Sequence, residues 1–533
     1  MAITTTRDAT TINDSGAAIT PPSPPGSASA GVIVSTSPAT RRRVGEVPIT
    51  PLGDVERIMA NARRAQPAWF RAGLHHRLEM IRRFKESLRR GLDTLVSTVV
   101  AEQGRPPFEV LSEYFPSIEL LAHYERAAPR ALAPRRLFIS LAPHRIHWIE
   151  RRPFGVVLVI APWNFPLVQS IPPIVAALLT GNTVVYKPSE YAAQAGEAMA
   201  RMIHEAGIPP DVFQIVHGLG DLGAALVNAR PDKIAFTGSV STGRKIGKAA
   251  GELLIPATLE LGAKDAAIVL ADADLDRTAR GLVWGGMLNA GQACLSVERV
   301  YVHRSVHDAL VQRMARVIEQ HIRVGPGEGL DTTMGAITTE MQAQIIDSQV
   351  REAVAQGAKV ITGGRLDDAN PRCYLPTIVT DVTPDMRLMQ DETFGPVIAV
   401  VAFDDEEEAL RAVNNSPYGL TASVWTRNRG RGLALAARLE VGHASVNDHV
   451  MSATLPQLPW GGTKDTGYGT MRGVEGLLEM TRPQSFSIER FKPLPSEYFW
   501  YPYTPFKYNL LRRAIRALYA PSWRERFRAL LNR

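Results

Sequence analysis

The sequence predicts an α/β protein built on two doubly wound parallel sheets. Three observations carry this expectation. β-rich and helix-rich runs alternate from Gly155 to Leu261, the pattern of parallel strands joined by crossover helices. A second alternating series runs from Ala266 to about Val446. The stretch from Pro153 to Tyr186 holds no charged residue, as expected for strands buried on both faces.

The elements follow in order. Met1 to about Gly31 is rich in Thr, Ser, Ala, Gly and Pro. It lacks the apolar core of a signal peptide and reads as a disordered extension. Asp54–Gln66 has helical spacing. His75–Val100 does too, with an interruption near Gly91. Phe108–Ala131 is helical, with Pro116 as the place for a kink. Arg136–Glu150 alternates and reads as a hairpin or edge pair. The uncharged stretch imitates a membrane span, which needs about 20 apolar residues in regular helical geometry. Pro162, Pro166, Pro172 and Pro173 forbid that geometry. It reads instead as a strand (Gly155–Ala161), a loop, a helix (about Leu167–Leu179) and a strand (Thr183–Tyr186). Val212–Val216 and Lys233–Phe236 are further strands. Leu222–Asn228 and Thr242–Leu253 are further helices.

Composition narrows the class. The 533 residues are 45% hydrophobic and 21% charged, an ordinary globular balance. Two cysteines exclude a disulfide framework or a cysteine-built zinc site, and no metal is expected. The net charge is +7. Eight Lys/Arg and one acid lie in Lys507–Arg533, which leaves 52 of each sign elsewhere. The body is therefore neutral and lacks the footprint of a nucleic-acid binder.

Two glycine segments sit where a strand meets a helix. Gly218-Leu219-Gly220-Asp221-Leu222-Gly223 has the dinucleotide spacing, but no acid follows where the fingerprint wants one. Its glycines are assigned to the turn, with at most indirect cofactor contact. Phe236-Thr237-Gly238-Ser239-Val240-Ser241-Thr242-Gly243 suits either a pyrophosphate at a helix N-terminus or a plain capped turn. Cys294 lies in the polar segment Gly291-Gln292-Ala293-Cys294-Leu295-Ser296, where a thiolate could serve as nucleophile. Cys373, in a Pro-bounded strand-like run, reads as structural.

Six segments then occur in order: Ala161-Pro162-Trp163-Asn164-Phe165-Pro166; Gly181-Asn182-Thr183 to Lys187-Pro188-Ser189-Glu190; Phe236-Thr237-Gly238-Ser239; Leu259-Glu260-Leu261-Gly262; the Cys294 segment; and Glu392-Thr393-Phe394-Gly395-Pro396. From about Val32 to Phe491 the chain resembles the NAD(P)-dependent aldehyde dehydrogenase superfamily. The resemblance implies an aldehyde dehydrogenase-like fold, with two Rossmann-like domains and a small β oligomerisation arm. It places cofactor binding at 32–135 and 153–260, catalysis at 261–446, and the arm at 136–152 and 480–491. Residues 492–533 form a basic tail outside the family core.

The resemblance also implies roles. Cys294 attacks the aldehyde, Asn164 and the Cys294 N–H hold the oxyanion, and Glu260 is the base for thioester hydrolysis. Lys187 and Glu190, with Ser189 between them, meet the adenosine ribose. Gly238, Ser239 and Gly243 meet the pyrophosphate. Glu392 anchors the nicotinamide ribose, while Phe394 and Trp163 line the ring's side. NAD is expected over NADP, because Glu190 would repel a 2′-phosphate, though some relatives with this Glu take both. The aldehyde entrance would be lined by Gln169, Pro172, Ala293, Leu295, Met451, Leu455 and Trp460. No Lys or Arg is among these, which favours an apolar aldehyde. Two departures stand out. Ala263 replaces the usual second glycine after Gly262. The Thr463-Lys464-Asp465 run differs from common versions without an assignable consequence.

The retained Glu260 argues against a CoA-acylating relative. Retention of Cys294, Glu260 and Asn164 together argues against a non-catalytic scaffold. A homodimer or homotetramer and a cytoplasmic location are expected. In the tail, Tyr508, Leu511, Ile515 and Leu518 share a helical face opposite Arg512, Arg513 and Arg516, and Trp523, Phe527, Leu530 and Leu531 repeat the pattern. Such a face suits an anionic membrane surface, the protein body, or a partner subunit.

Overall fold

The computed structural model describes residues 31–139, 142, 144–491, 496–497 and 499–531. The expected extension, apart from Gly31, lies outside them, as do Tyr498 and the side chains of Leu530 and Leu531. The chain divides into two compact units. The first holds the described residues up to Ala133 together with Arg151–Arg482. The second holds Pro134–Glu150 and the described residues from Pro483 on.

The first unit contains two large sheets. One has the order Gly467–Tyr468, Ala257–Glu260, Lys233–Thr237, Val156–Ile160, Thr183–Lys187, Phe213–Ile215. All neighbours are parallel except the first pair. Val156–Ile160 is the topological switch point. Its chain successor Thr183–Lys187 lies on one side and the later Lys233–Thr237 on the other. Ligand crevices open at the carboxyl ends of strands at such a point. The strands Thr183–Lys187 and Lys233–Thr237 are wholly buried, which fits the apolar residues at their centres, with Lys and Thr only at the strand ends.

The other sheet has seven strands in the order Lys359–Thr362, Thr377–Thr380, Val397–Phe403, Arg299–His303, Ala266–Val269, Thr421–Trp425, His443–Val446. Only its first pair is antiparallel. Helices cover both sheets, and the three largest apolar clusters lie between these layers.

Gly91 separates the helices Gly73–Arg90 and Leu92–Gln103. The helix Pro107–Ala131 runs through Pro116. The helix expected from Leu167 begins at Ile171 instead. Pro172 and Pro173 occupy its first turn, where their missing N–H groups cost nothing; in a helix begun at Leu167 they would leave the carbonyls of Val168 and Gln169 without donors. The loop so created carries Asn164 and Gln169.

In the second unit, Arg135–Leu137 and Arg145–Pro153 pair antiparallel, with Thr481–Glu489 on the outer side of Arg145–Pro153. Trp148 stacks on Phe486 at 5.1 Å between ring centres. Two helices follow, Pro505–Leu518 and Trp523–Leu531.

Candidate functional site

Cys294 lies in the loop between the turn Leu288–Gly291 and the strand Arg299–His303. The loop is reached through three successive left-handed residues, Asn289, Ala290 and Gly291, with φ of 55°, 53° and 69°. For Asn289 and Ala290 this backbone costs about 1–2 kcal/mol each. Buried hydrogen bonds hold it. Asn289 Nδ2 donates to Asn164 O (2.9 Å) and Gln292 O (3.1 Å), and Asn289 N–H to Glu109 Oε1 (3.0 Å). At Gly291 a Cβ would stand 2.0 Å from the Gly395 carbonyl, so only glycine fits.

Asn164 is held from two sides. Its Nδ2 donates to Gln292 O (3.1 Å), and its carbonyl accepts from Arg105 Nη1 (3.2 Å). An amide NH₂ has two hydrogens, so one remains for a ligand. The loop behind it rests on a buried pair. Arg105 Nη1 meets Glu113 Oε2 at 2.6 Å, and Glu113 Oε1 accepts from the N–H groups of Leu167 (2.6 Å) and Val168 (3.0 Å). Gln169 Nε2 reaches Cys294 Sγ at 3.8 Å.

Glu260 ends the strand Ala257–Glu260 and is buried, with neither carboxylate oxygen in a hydrogen bond among the described residues. Burial raises its pKa to about 6, and the nearby Cys294, Arg472, Thr237 and Trp460 restrain the rise. Burial also pushes the Cys294 thiol well above its ordinary value, reinforced by Glu260, Asp265 and Glu392. The carboxylate and the thiol thus share one cavity, where the thiol favours the charged carboxylate and the carboxylate disfavours the thiolate.

Glu392 is half-buried, and its Oε1 accepts from Ala263 N–H at 3.0 Å. Burial raises its pKa to about 8, with Glu298 adding to the rise. Its segment is clamped by a second buried pair. Lys264 Nζ donates to Glu298 Oε2 and to Thr393 Oγ1 (2.8 Å), while Glu298 accepts from the N–H groups of Thr393 (2.8 Å) and Phe394 (2.9 Å). Phe394 meets Trp163 edge to face at 5.6 Å.

Three cavities meet around these residues. One of about 630 Å³ lies at the switch point, lined by Trp163, Lys187, Ser189, Glu190, Gly238 and Ser239, and also by Gly220 and Gly223. Ser239 caps the helix Val240–Leu253, its Oγ accepting from Thr242 N–H at 3.3 Å. Lys187 is buried, which lowers its pKa, and its Nζ is 3.4 Å from Pro188 O. A second cavity, about 340 Å³, joins Asn164, Glu260, Cys294, Glu392 and Phe394. The third, about 110 Å³, reaches Cys294 past Gln169, Leu295, Met451 and Trp460. A larger cleft of about 1070 Å³, with Arg299 and Tyr301 in its wall, contains none of the predicted residues.

Four placements differ from the sequence expectations. Gly243 is no part of the nucleotide cavity's wall; it is buried against Leu261, where a Cβ would come within 2.3 Å. Gly220 and Gly223 do line that cavity, so their segment is more than a turn. Leu455, Pro172 and Ala293 do not line the third cavity, and Leu455 is exposed. That cavity does have a cation in its wall: Arg472, buried, its guanidinium over the Trp460 ring and its Nη2 donating to Ala453 O at 2.7 Å. Burial lowers its pKa to about 10, while Glu260, Cys294 and Tyr124 favour its charge. Arg472 escaped the sequence reading because it caps a helix 12 residues beyond Trp460, outside every motif. The pairs Lys264–Glu298 and Arg105–Glu113 also escaped. For the first, a signal was available: Lys264 directly follows Ala263 in the Glu260 segment, a charge at the end of an otherwise buried run.

A half-buried cysteine and a carboxylate on one cavity, beside a crevice at the switch point of a doubly wound sheet, outline an enzyme-like site. Residues 26–486 match the model of the aldehyde dehydrogenase family, and the chain belongs to that family. It is 36% identical over 490 residues to a 4,4'-diapolycopene aldehyde oxidase of Methylomonas, covering 91% of each chain. It is 34% identical to a putative succinate-semialdehyde dehydrogenase [NADP(+)] of Mycolicibacterium smegmatis, over 85% of this chain and 87% of that one. Among solved structures, an NAD-dependent aldehyde dehydrogenase from Sinorhizobium meliloti superposes with a TM-score of 0.84 at 33% identity, over 88% and 94% of the two chains. A Mycobacterium tuberculosis aldehyde dehydrogenase complexed with NAD+ gives 0.82 at 32% identity, over 86% and 95%.

Proposed function

We propose that the protein oxidises an apolar aldehyde to its carboxylic acid with NAD⁺ and water. The observation that carries this is the convergence of Cys294, Glu260 and Asn164 on one cavity continuous with a nucleotide-sized crevice. Residues 32–135 and 153–260 serve the cofactor and 261–446 the chemistry. The arm at 136–152 and 480–491 serves subunit association as a dimer or tetramer. A cytoplasmic location belongs to the same reading.

The crevice fits the cofactor on its own chemistry. It offers an ammonium with one weak acceptor (Lys187), a carboxylate (Glu190) and a capped helix N-terminus (Ser239). Lys187 and Glu190 would hold ribose hydroxyls, Gly238 and Ser239 the pyrophosphate, and Glu392 the second ribose. When bound, the nicotinamide supplies the hydride acceptor.

Glu260 takes the Cys294 proton, and the thiolate adds to the carbonyl carbon to give a thiohemiacetal. Asn164 Nδ2 and the Cys294 N–H donate to the oxyanion; losing one such donor costs about 10²–10³ in rate. Hydride loss leaves a thioester on Cys294. Glu260 releases the first proton to solvent and then deprotonates water, whose hydroxide adds to the thioester carbon; the Cys294 thiolate leaves, regains a proton from Glu260, and the acid departs. Phe165, Val168, Leu288, Leu295 and Val450 make the third cavity's wall mainly apolar, which supports an aliphatic or aromatic substrate.

The test is NADH formation across aliphatic aldehydes of rising chain length and benzaldehyde, with and without CoA. Rising efficiency with length, no need for CoA, and loss of activity in Cys294→Ala are expected. A requirement for CoA, or preference for a carboxylated aldehyde, would overturn the reading.

A further inference from the structure

We propose that the C-terminal helical segment, Phe499–Leu531, binds the surface of an anionic lipid bilayer. This stands on the tail alone and holds whether or not the aldehyde is apolar.

The first observation is exposure. Nine aromatic side chains between Phe499 and Phe527 are each 59–78% exposed, among them Trp500, Tyr501, Phe506, Tyr519 and Trp523. Ile515 and Leu518 are exposed beside them. Tyr508, Ile515 and Leu518 fall within one sector of the helix Pro505–Leu518, with Tyr519 at its C-cap; Arg512 and Arg516 lie beside this sector, not opposite it as expected from the sequence. Soluble surfaces rarely leave such a concentration of rings in water.

The second observation is a fixed base. Thr504 Oγ1 accepts from Lys507 N–H at 3.2 Å and caps the helix. Lys507 Nζ donates to Ser496 Oγ (2.9 Å), Glu497 O (3.1 Å) and Trp500 O (2.7 Å). The Glu497 carboxylate accepts from Arg145 Nη1 at 3.1 Å, on the strand Arg145–Pro153. The helices also pack on each other. The rings are thus displayed from an anchored hairpin.

The third observation selects the partner. Lys507–Arg533 has eight Lys/Arg and one acid, whereas the remaining chain balances 52 against 52. Two such tails would repel across a self-interface, and the body has no acidic surplus to receive one. Anionic headgroups supply the missing charge, and Trp and Tyr rings settle at the headgroup boundary. Aliphatic Ile515 and Leu518 have no use on a nucleic-acid backbone. No helix among the described residues is long and apolar enough to cross a membrane, so the hairpin would lie in the interface.

The experiment is co-sedimentation of the full chain with vesicles of phosphatidylcholine alone or mixed with phosphatidylglycerol. Two full-length variants accompany it, Arg512→Glu/Arg516→Glu and Trp500→Ala/Trp523→Ala, each checked for NADH formation and subunit number. Partitioning at least about tenfold higher on the anionic vesicles is expected, weakened by salt and lost in both variants. Equal binding to both vesicle types, no binding, or undiminished binding by both variants would overturn it. So would a change in subunit number without a change in vesicle binding, or binding to DNA or RNA in place of vesicles.

Discussion

The Arg472 guanidinium lies 4.6 Å from the centre of the Trp460 ring, in the wall of the cavity that reaches Cys294. It is a buried cation that forms no ion pair among the described residues, and its electrostatic neighbours are Glu260 and Cys294. A cation favours the charged forms of both acids. Replacing it with methionine therefore raises both pKa values. The acid limb of the activity profile, set near pH 6 by Glu260, should move to higher pH in Arg472→Met. The loss should be about tenfold near pH 6 and smaller above pH 8. The pH dependence of kcat/KM, with Cys294 alkylation by iodoacetamide as a substrate-free readout, checks this. Unmoved profiles would confine Arg472 to packing on Trp460.

Glu260 has a separable second task. Thiol deprotonation precedes hydride loss, and thioester hydrolysis follows it. In Glu260→Gln the thiol can still lose its proton to solvent at alkaline pH, but the acyl group stays on Cys294. The expected result is a burst of one NADH per site followed by turnover slowed about 10²–10⁴-fold. Stopped-flow absorbance measures the burst, and the mass of the intact protein reports the acyl adduct. Slow NADH formation from the first turnover, with no adduct, would move the deacylating base elsewhere.

The motifs made the reacting groups legible because their neighbours in sequence are also their supports. Asn164 precedes Phe165-Pro166 in a loop, and Glu260 ends a strand whose parallel partner, Lys233–Thr237, was itself predictable. What stayed hidden came from long-range pairing. Arg472 reaches Trp460 from a helix cap, and Glu298 clamps Thr393 from 95 residues away. Spacing along the chain contains no trace of either. The start of the helix at Ile171 was hidden for a local reason, since apolar periodicity continues upstream past the point where Pro172 and Pro173 lack the N–H groups a longer helix would need.

The Lys264–Glu298 pair should be structural before it is catalytic. Both side chains are almost fully buried, and the Glu298 carboxylate satisfies two N–H groups of the Glu392–Phe394 segment. Removing one partner leaves a buried, unpaired charge. Glu298→Ala should cost about 3–5 kcal/mol, read as a lowered denaturant midpoint. NAD⁺ affinity should fall with it, because Glu392 and Phe394 lose their clamp. Unchanged stability with weakened NAD⁺ binding would mean that the segment relaxes around the gap.

On the proposed reading, Glu190 sets the choice of dinucleotide by repulsion. Its carboxylate sits in the wall of the larger crevice with Lys187, and Ser189 Oγ donates to its Oε2 at 3.3 Å. A ribose bearing free hydroxyls can donate to this carboxylate, whereas a 2′-phosphate brings like charge against it. Lys187 and Lys245, both in that wall, are cations suited to the phosphate. Glu190→Gln removes the repulsion and keeps an acceptor for the ribose. Its kcat/KM for NADP⁺ should rise about tenfold or more, while that for NAD⁺ falls several-fold, since a neutral amide accepts more weakly than a carboxylate. Initial rates with each dinucleotide at saturating aldehyde measure the two constants. If the ratio stays fixed, the 2′-position of the ribose does not meet Glu190, and discrimination must come from another wall of the crevice.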